Sequence, residues 1–497
     1  MKPDILAAVD LGSNSFHLQI GRVLDDQIYM LDSLREPVRL AAGFTRDRRI
    51  DRHTRVRAMQ ALERFAERLR GLPRAAVRAV GTSALRTAKN APAFLAEAEK
   101  ALGFPVEVIF GREEARLIYL GVAHSLAPSL ERRLVVDIGG GSTECIIGTG
   151  FEPQLMESLP MGCVSFSLRH FPDGRLEKSS FKRAELVAAN ELQRIVDAYR
   201  GVGWRHAVGS SGTARSLAAT LRECGLCEDG ISAAGLDELR DMFIKAGKVE
   251  RLKLPGLRED RKLIIPGGLA IMSAVLAEFG IDKLEVSDAA LRQGVMYDLL
   301  GRVRHRDMRE ATVRQFLRRY QVDAAQAERV AQLAQKILAD VARDHSEHDA
   351  AMLRWSANLH EIGISIAHAG YHKHSAYILA QADMPGFSQS EQSRLARLVM
   401  AHRGKLSKLQ GVPKRSPDWT LIFALRLSVL FYLSRREFTL PPLECKGSAE
   451  GFQIVLPRAW LDKHPLTEAA LESEIGEWRA LGVRVSVRAA SGERLAA

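Results

Sequence analysis

At 497 residues the chain exceeds the size at which a single hydrophobic core stops growing, so several domains are expected. Its five cysteines are odd in number and few for this length, which argues against a disulfide framework. A net charge of +11 points to an anionic partner.

Residues 5–34 alternate apolar runs with turns, and the runs Ile5–Asp10, Phe16–Val23 and Ile28–Leu34 predict a strand meander turning at Leu24-Asp25-Asp26. His53–Arg70 carries apolar residues at helical spacing, Arg78–Gly81 reads as a strand, and Thr82-Ser83 caps a helix with Arg86 in its first turns. Val106–Phe110 is a buried strand, and Gly111-Arg112-Glu113-Glu114 opens a helix through Val122. Strands alternating with helices indicate an α/β domain. A second half starts with the strand at Val135, continues through Cys145–Gly148 and the helix Phe181–Tyr199, and adds a strand-to-glycine turn at Ala207–Thr213. Ile264–Phe279 and Asp288–Leu300 supply further helices.

After Gly301 only helices are expected, over Ala311–Tyr320, Ala324–Asp344, Met352–Leu359, Ser390–Ala401 and Thr420–Arg435. A strand at Gly451–Leu456, a helix at Thr467–Leu481 and a strand at Val483–Arg488 make a small α+β end piece. The expected domains are therefore 1–122, 123–300, 301–437 and 438–497. No apolar run reaches membrane-spanning length, and Met1-Lys2-Pro3-Asp4 lacks the start of a secretory signal, so a cytoplasmic setting is expected.

Two strand ends share one pattern. In Val9-Asp10-Leu11-Gly12-Ser13-Asn14-Ser15 and Val136-Asp137-Ile138-Gly139-Gly140-Gly141-Ser142, aligning Asp10 with Asp137 superposes Gly12 on Gly139 and Ser15 on Ser142. Glycine allows a turn with positive φ in which successive N–H groups face one concavity, and a carboxylate beside it can hold a divalent cation against phosphate oxygens. Two such loops would grip a phosphate from both sides, and the third turn, Ser211-Gly212-Thr213, would offer hydroxyls to the same cleft.

Between Gly301 and Thr420 there are 19 Lys+Arg against 12 Asp+Glu, so most of the positive excess falls in about a quarter of the chain. Nucleic-acid recognition normally brings helix-turn-helix, zinc or aromatic-stacking signatures, and none is present, so a different polyanion is favoured. Cys224-Gly225-Leu226-Cys227 has metal or redox spacing but no second half. It is read as structural or incidental.

With these loops, Thr143-Glu144 and Glu113-Glu114-Ala115-Arg116-Leu117-Ile118, the chain resembles the exopolyphosphatase/guanosine pentaphosphate phosphohydrolase (Ppx/GppA) family of the actin, sugar kinase and heat-shock ATPase superfamily. The resemblance extends to Met161–Phe166, Asp288–Val295 and His374–Leu379. It implies an α/β protein with two ribonuclease H-like domains facing over a cleft, followed by a helical HD-like domain and the small α+β domain. It also implies removal of terminal phosphates, Mg²⁺ as cofactor with K⁺ as a candidate activator, and a homodimer. By motif, Glu114 would be the base that activates water, Asp137 and Glu144 would hold Mg²⁺ with Asp10 acting through water, and Arg86 would clamp the terminal phosphate. Gly12, Ser13, Asn14, Ser15, Gly139, Gly140, Gly141, Ser142 and Thr143 would bind the substrate, with Ser211, Gly212 and Thr213 beside them.

His374, Lys405 and Lys408, within a basic cluster that includes Lys414 and Arg415, would extend a polyphosphate track. His360-Glu361 is similar to the His-Asp pair of HD phosphohydrolases, with Glu in place of Asp. The expected activity is release of orthophosphate from inorganic polyphosphate, with guanosine pentaphosphate as the rival substrate. An actin-like ATPase or kinase is a second class, and a non-catalytic polyanion binder a third. The carboxylates argue against the third, because a site that only binds phosphate gains nothing from added negative charge.

Overall fold

The computed structural model describes residues 4–24, 27–127, 129–303, 307–342, 344–409, 412–413, 416–436, 439–448 and 451–490. It divides into two compact units, Met1–Met308 with Pro385–Gln389, and Arg309–Met384 with Ser390–Ala497.

The first unit contains one sheet pattern twice. Strands β1 (Ile5–Leu11), β2 (Phe16–Leu24), β3 (Gln27–Glu36), β4 (Val77–Gly81) and β5 (Val106–Val108) lie in the order β3-β2-β1-β4-β5. The first three form the expected antiparallel meander, whereas β4 and β5 run parallel to β1. Asp25 and Asp26 of the expected turn lie outside the described residues. The second sheet contains β6 (Arg132–Ile138), β7 (Thr143–Thr149), β8 (Glu152–Leu159), β9 (His206–Ser210), β10 (Ile231–Ser232) and β11 (Lys283–Val286), in the order β10-β11-β9-β6-β7-β8. Again three strands are antiparallel, and β9 and β11 run parallel to β6 and β9. Laying β6 on β1 reproduces the first sheet. This duplication is the one expected of two ribonuclease H-like halves.

Helices α1 (Arg52–Leu69), α2 (Ser83–Thr87), α3 (Ala91–Leu102) and α4 (Gly111–Ser125) belong to the first half. The second has α5 (Cys163–His170), α6 (Lys178–Leu192), α7 (Val196–Val202), α8 (Ser211–Glu223), α9 (Ala233–Ala246), α10 (Ile265–Phe279) and α11 (Leu291–Val303). Strand β8 has no counterpart in the sequence reading, because it is only half-buried along most of its length and carries no apolar run. The helix expected over Phe181–Tyr199 is interrupted between α6 and α7. Helix α11 starts later than expected because the Gln293 side chain accepts from the Ala290 N–H and the Ser287 hydroxyl from the Ala289 N–H, which holds the preceding residues in a turn.

Helices α4 and α11 supply Leu117, Ile118, Val122, Leu291, Val295 and Met296 to a core that also takes Ala8 and Val80 from one sheet and Val135, Ile146 and Val208 from the other. They cross where both lack a side chain. A Cβ on Gly121 would meet the Ala290 carbonyl oxygen at 2.3 Å, and one on Gly294 would meet that of Leu117 at 1.7 Å. Gly294→Ala should therefore destabilise the unit by roughly 1–3 kcal/mol in chemical denaturation, the usual cost of overfilling a packed contact. An unchanged midpoint would show that the helices part freely.

The second unit has α12 (Met308–Arg319), whose first residue closes the first unit, then α13 (Ala324–Val341), α14 (Glu347–Leu359), α15 (Tyr371–Gln381), α16 (Gln389–Ala401) and α17 (Asp418–Phe431). Its end piece has β12 (Glu444–Ser448), β13 (Gly451–Pro457), α18 (Arg458–Leu461), α19 (Pro465–Ala480) and β14 (Arg484–Ala490). The parallel pair β13 and β14 needs a crossover, which the last two helices supply. Trp478 and Phe423 are buried, and Phe423 stacks on Phe452 at 4.1 Å. Among the described residues no helix is long and apolar enough to cross a membrane.

Candidate active site

The two loops after β1 and β6 meet across a cavity of about 510 Å³. Gly12, Gly139, Gly140 and Gly141 are absent from the positive-φ positions, so the turn is not made the way expected. Close approach is what demands glycine. A Cβ on Gly12 would lie 2.9 Å from the Ser15 carbonyl oxygen, and one on Gly139 would lie 3.1 Å from that of Ser142, the same contact in both loops. Across the cavity, a Cβ on Gly140 would meet Ser13 Cβ at 2.9 Å and one on Gly141 would meet Ser83 Oγ at 2.7 Å. The Ala41 and Arg39 N–H groups donate to the carbonyls of Ser13 and Asn14, while those of Cys163 and Val164 donate to Gly139 and Gly140. The Gly139 N–H closes its loop on the Ser142 carbonyl at 2.9 Å, and with these carbonyls engaged on the protein side it is the other loop N–H groups that are left for an anion.

Carboxylates crowd the floor. Asp10 and Asp137 line the cavity with Glu114, and Glu144 is buried behind, where the Ser158 hydroxyl donates to its Oε1 at 2.8 Å. Burial pushes Asp10 up to about 7, reinforced by the charges of Glu114 and Asp137 and opposed by Arg292. Burial likewise raises Asp137 to about 6, with Glu114 adding to it and the Ser210 and Ser211 hydroxyls opposing. Glu144 is held well above the usual carboxylate range, first by burial and then by Glu114 and Asp137. Asp10 Oδ1 is buried without a hydrogen-bond partner. These are the signs of a donor set short of positive charge.

Arg86 does not line the cavity. Its Nη1 donates to Glu114 Oε2 at 2.7 Å and to the Ile109 carbonyl at 3.0 Å, so it pairs with the expected base. Thr143 is fully buried and donates to the Met161 carbonyl at 2.6 Å, which removes it from any substrate. Ser211 and Thr213 line the cavity, but both hydroxyls donate to the Ile138 carbonyl, at 2.9 and 2.8 Å, and brace the second loop. His374, Lys405 and Lys408 belong to the second unit, where Lys405 is exposed and Lys408 Nζ donates to the Arg403 carbonyl. His360 in that unit is fully buried, with its Nδ1 at 2.6 Å from the Ala357 carbonyl. Lys414 and Arg415 lie outside the described residues.

The sequence reading missed the other wall. Arg35, Arg215, Arg258, Arg261 and Arg292 line the cavity together with His17. Arg258 forks onto Asp260 at 3.0 and 3.1 Å, and Arg35 reaches the same carboxylate at 2.8 Å. Arg292 is 3.9 Å from Asp10, and the Arg261 guanidinium covers Gly212. His17 is driven down to about 2, first by burial and then by Arg292 and Arg35, so it is neutral. Asp260-Arg261 before α10 and Arg292 in the Asp288–Val295 motif were the available signals.

Carboxylates beneath a cationic wall serve to split a phosphoanhydride bond rather than merely hold a phosphate, and the class so defined is a phosphoanhydride hydrolase. Comparison with known proteins gives the family. The model of the Ppx/GppA phosphatase family matches residues 19–303, and that of Ppx/GppA phosphatase domain III matches residues 308–475. The chain belongs to the Ppx/GppA phosphatase family. Among solved structures it is similar to the Aquifex aeolicus PPX-GPPA enzyme, at 28% identity over 59% of this chain and 98% of that one, with a TM-score of 0.50. It is also similar to an exopolyphosphatase from Cytophaga hutchinsonii, at 26% identity over 60% of this chain and 97% of that one, with a TM-score of 0.54.

Proposed function

We propose that the protein is an exopolyphosphatase that hydrolyses the terminal phosphoanhydride bond of inorganic polyphosphate and releases orthophosphate. The observation that carries this reading is the arginine wall: five guanidinium groups face the cavity, and its only ring among the described residues is the neutral His17. A chain of phosphates needs cations along its length and no platform for a base, whereas a guanosine nucleotide gains from an aromatic or apolar surface.

In this reading the loop N–H groups of Gly12–Ser15 and Gly140–Ser142 hold the terminal phosphate, while the Gly139 N–H closes its own loop on the Ser142 carbonyl. Glu114 orients a water and accepts its proton as the water oxygen bonds to phosphorus and the bridging oxygen leaves with the shortened chain. Arg86 fixes the Glu114 carboxylate. The hard oxygen donors, the unpartnered Asp10 Oδ1 and the mutually raised carboxylates fit Mg²⁺. Among the described residues no three Asp, Glu, His or Cys groups converge into a metal cage. Asp137 and Asp10 would be the holders of an ion that keeps waters and takes ligands from phosphates, with Glu144 behind them. Bound there, Mg²⁺ supplies neutralisation of the phosphoryl charge. Stimulation by K⁺, a homodimer and an HD-like second unit rest on the resemblance alone; potassium titration and sedimentation test the first two.

Phosphate release from long polyphosphate, guanosine pentaphosphate and ATP, measured side by side, tests the proposal. Polyphosphate should have the highest kcat/KM; preference for either nucleotide would reassign the substrate. Arg261→Met should raise KM for polyphosphate roughly 10–100-fold, the worth of a charge-assisted hydrogen bond, and change kcat little. An unaltered KM would take Arg261 out of the binding wall.

A further inference from the structure

Glu113 and Glu114 are neighbours in the first turn of α4 with opposite surroundings. At 3.6 residues per turn they point about 100° apart, so one faces the cleft and the other the interior. Glu113 is buried, and Arg116 donates to it bidentately through Nε and Nη2, both at 2.8 Å. Asp298, from α11, receives Arg78 Nη1 at 2.8 Å, Arg302 Nε at 3.1 Å and Arg116 Nη2. Arg78 also donates to Glu107 at 3.1 Å. Three guanidinium groups and three carboxylates thus close a charge-balanced network over β4, β5, α4 and α11.

A backbone segment completes it. The Gly386 N–H donates to Glu113 Oε2 at 2.9 Å, and the Gly386 carbonyl accepts from Arg302 Nη2 at 3.0 Å. Gly386 has φ +88°, a conformation that favours glycine. This segment, Pro385–Gln389, packs with the first unit, although its chain neighbours on both sides belong to the second.

We propose that Glu113 is a positioning residue for Glu114, and that the Gly386 peptide is part of the clamp. The inference rests on the reading of Glu114 as the base. Glu114 is held on its own side by a single arginine, so its direction depends on the rotation of the first turn of α4. Bidentate pairing of Glu113 and its bond to Gly386 fix that rotation, because a fork and a backbone donor leave the carboxylate no second orientation. Misplacement of a catalytic group by about 1 Å can cost 10²-fold in rate without changing what binds.

The test is Glu113→Gln and Arg302→Met, each alone and in a Glu114→Gln background, with kcat and KM for polyphosphate measured on folded protein. Each single variant is expected to lose roughly 10–100-fold in kcat with KM held within about threefold. In the Glu114→Gln background neither should cause a further loss, because a group that acts through Glu114 has nothing left to position. Losses that multiply in that background, or that fall on KM, overturn the proposal. If Glu113→Gln fails to fold, Arg302→Met alone decides, since its side chain is at the edge of the network. Full activity of Glu114→Gln itself would overturn the base reading first, and is seen in that variant before any double variant is made.

Discussion

Glu114→Gln is expected to lower turnover by roughly two to four orders of magnitude, the contribution of a positioned general base. The structure separates this reading from the bland one, in which an acidic residue in the first turn merely complements the helix dipole. Such a residue stands in solvent and is worth at most about 1 kcal/mol. Glu114 is instead buried at the cavity, within hydrogen-bond reach of Arg86 and close enough to raise both Asp10 and Asp137. Gln keeps the size and the helix start, so polyphosphate affinity should survive and can tighten as one negative charge leaves a phosphate site. Glu238, exposed on α9, is a fitting control, because Glu113 is now known to be a member of a buried ion network. Turnover of Glu114→Gln within a few-fold of the parent protein would mean that the base has been misassigned.

The duplicated loops were legible because strand, Asp, Gly and Ser recur at one offset, and local sequence dictates a strand running into a turn. Both loops do line one cavity, but not for the backbone reason expected. Glycine is needed there for contacts between loops, and a contact across the cavity leaves no trace in either segment alone. The arginine wall escaped notice for a related reason. Arg35, Arg215, Arg261 and Arg292 come from four separate segments, each of ordinary charge, while the conspicuous basic run lies beyond Gly301. Thr143 and Ser211 show the converse, hydroxyls in the right motif that serve neighbouring carbonyls. Gly386 is the least legible of all, since nothing in Met384-Pro385-Gly386-Phe387 announces a bond to Glu113. It also governs experimental design. Ending the chain at Gly301 to ask whether the basic helices hold long polyphosphate would remove the clamp as well, so that question calls for charge-neutralising substitutions within the intact chain.

Asp137→Asn is expected to cut Mg²⁺-dependent turnover by roughly two to three orders of magnitude, the usual effect of removing one electrostatic partner of the transition state. Its effect on stability should have the opposite sign. An Asp with an ordinary pKa near 3.8 that is raised to about 6 in the folded protein binds its proton more tightly folded than unfolded. Stability from that group is therefore present below about pH 4 and is lost as pH rises through about 6, so at pH 7.5 the ionised carboxylate works against the fold. Asparagine keeps the shape without the charge. In the absence of Mg²⁺ the variant should melt higher than the parent protein at pH 7.5 and close to it at pH 4. Added Mg²⁺ should raise the melting temperature of the parent more than that of the variant, because an ion bound only by the folded state stabilises it by mass action. A variant that melts lower at pH 7.5 without Mg²⁺, or that gains as much from Mg²⁺ as the parent does, would mean that Asp137 is a structural carboxylate and that the cation is held elsewhere.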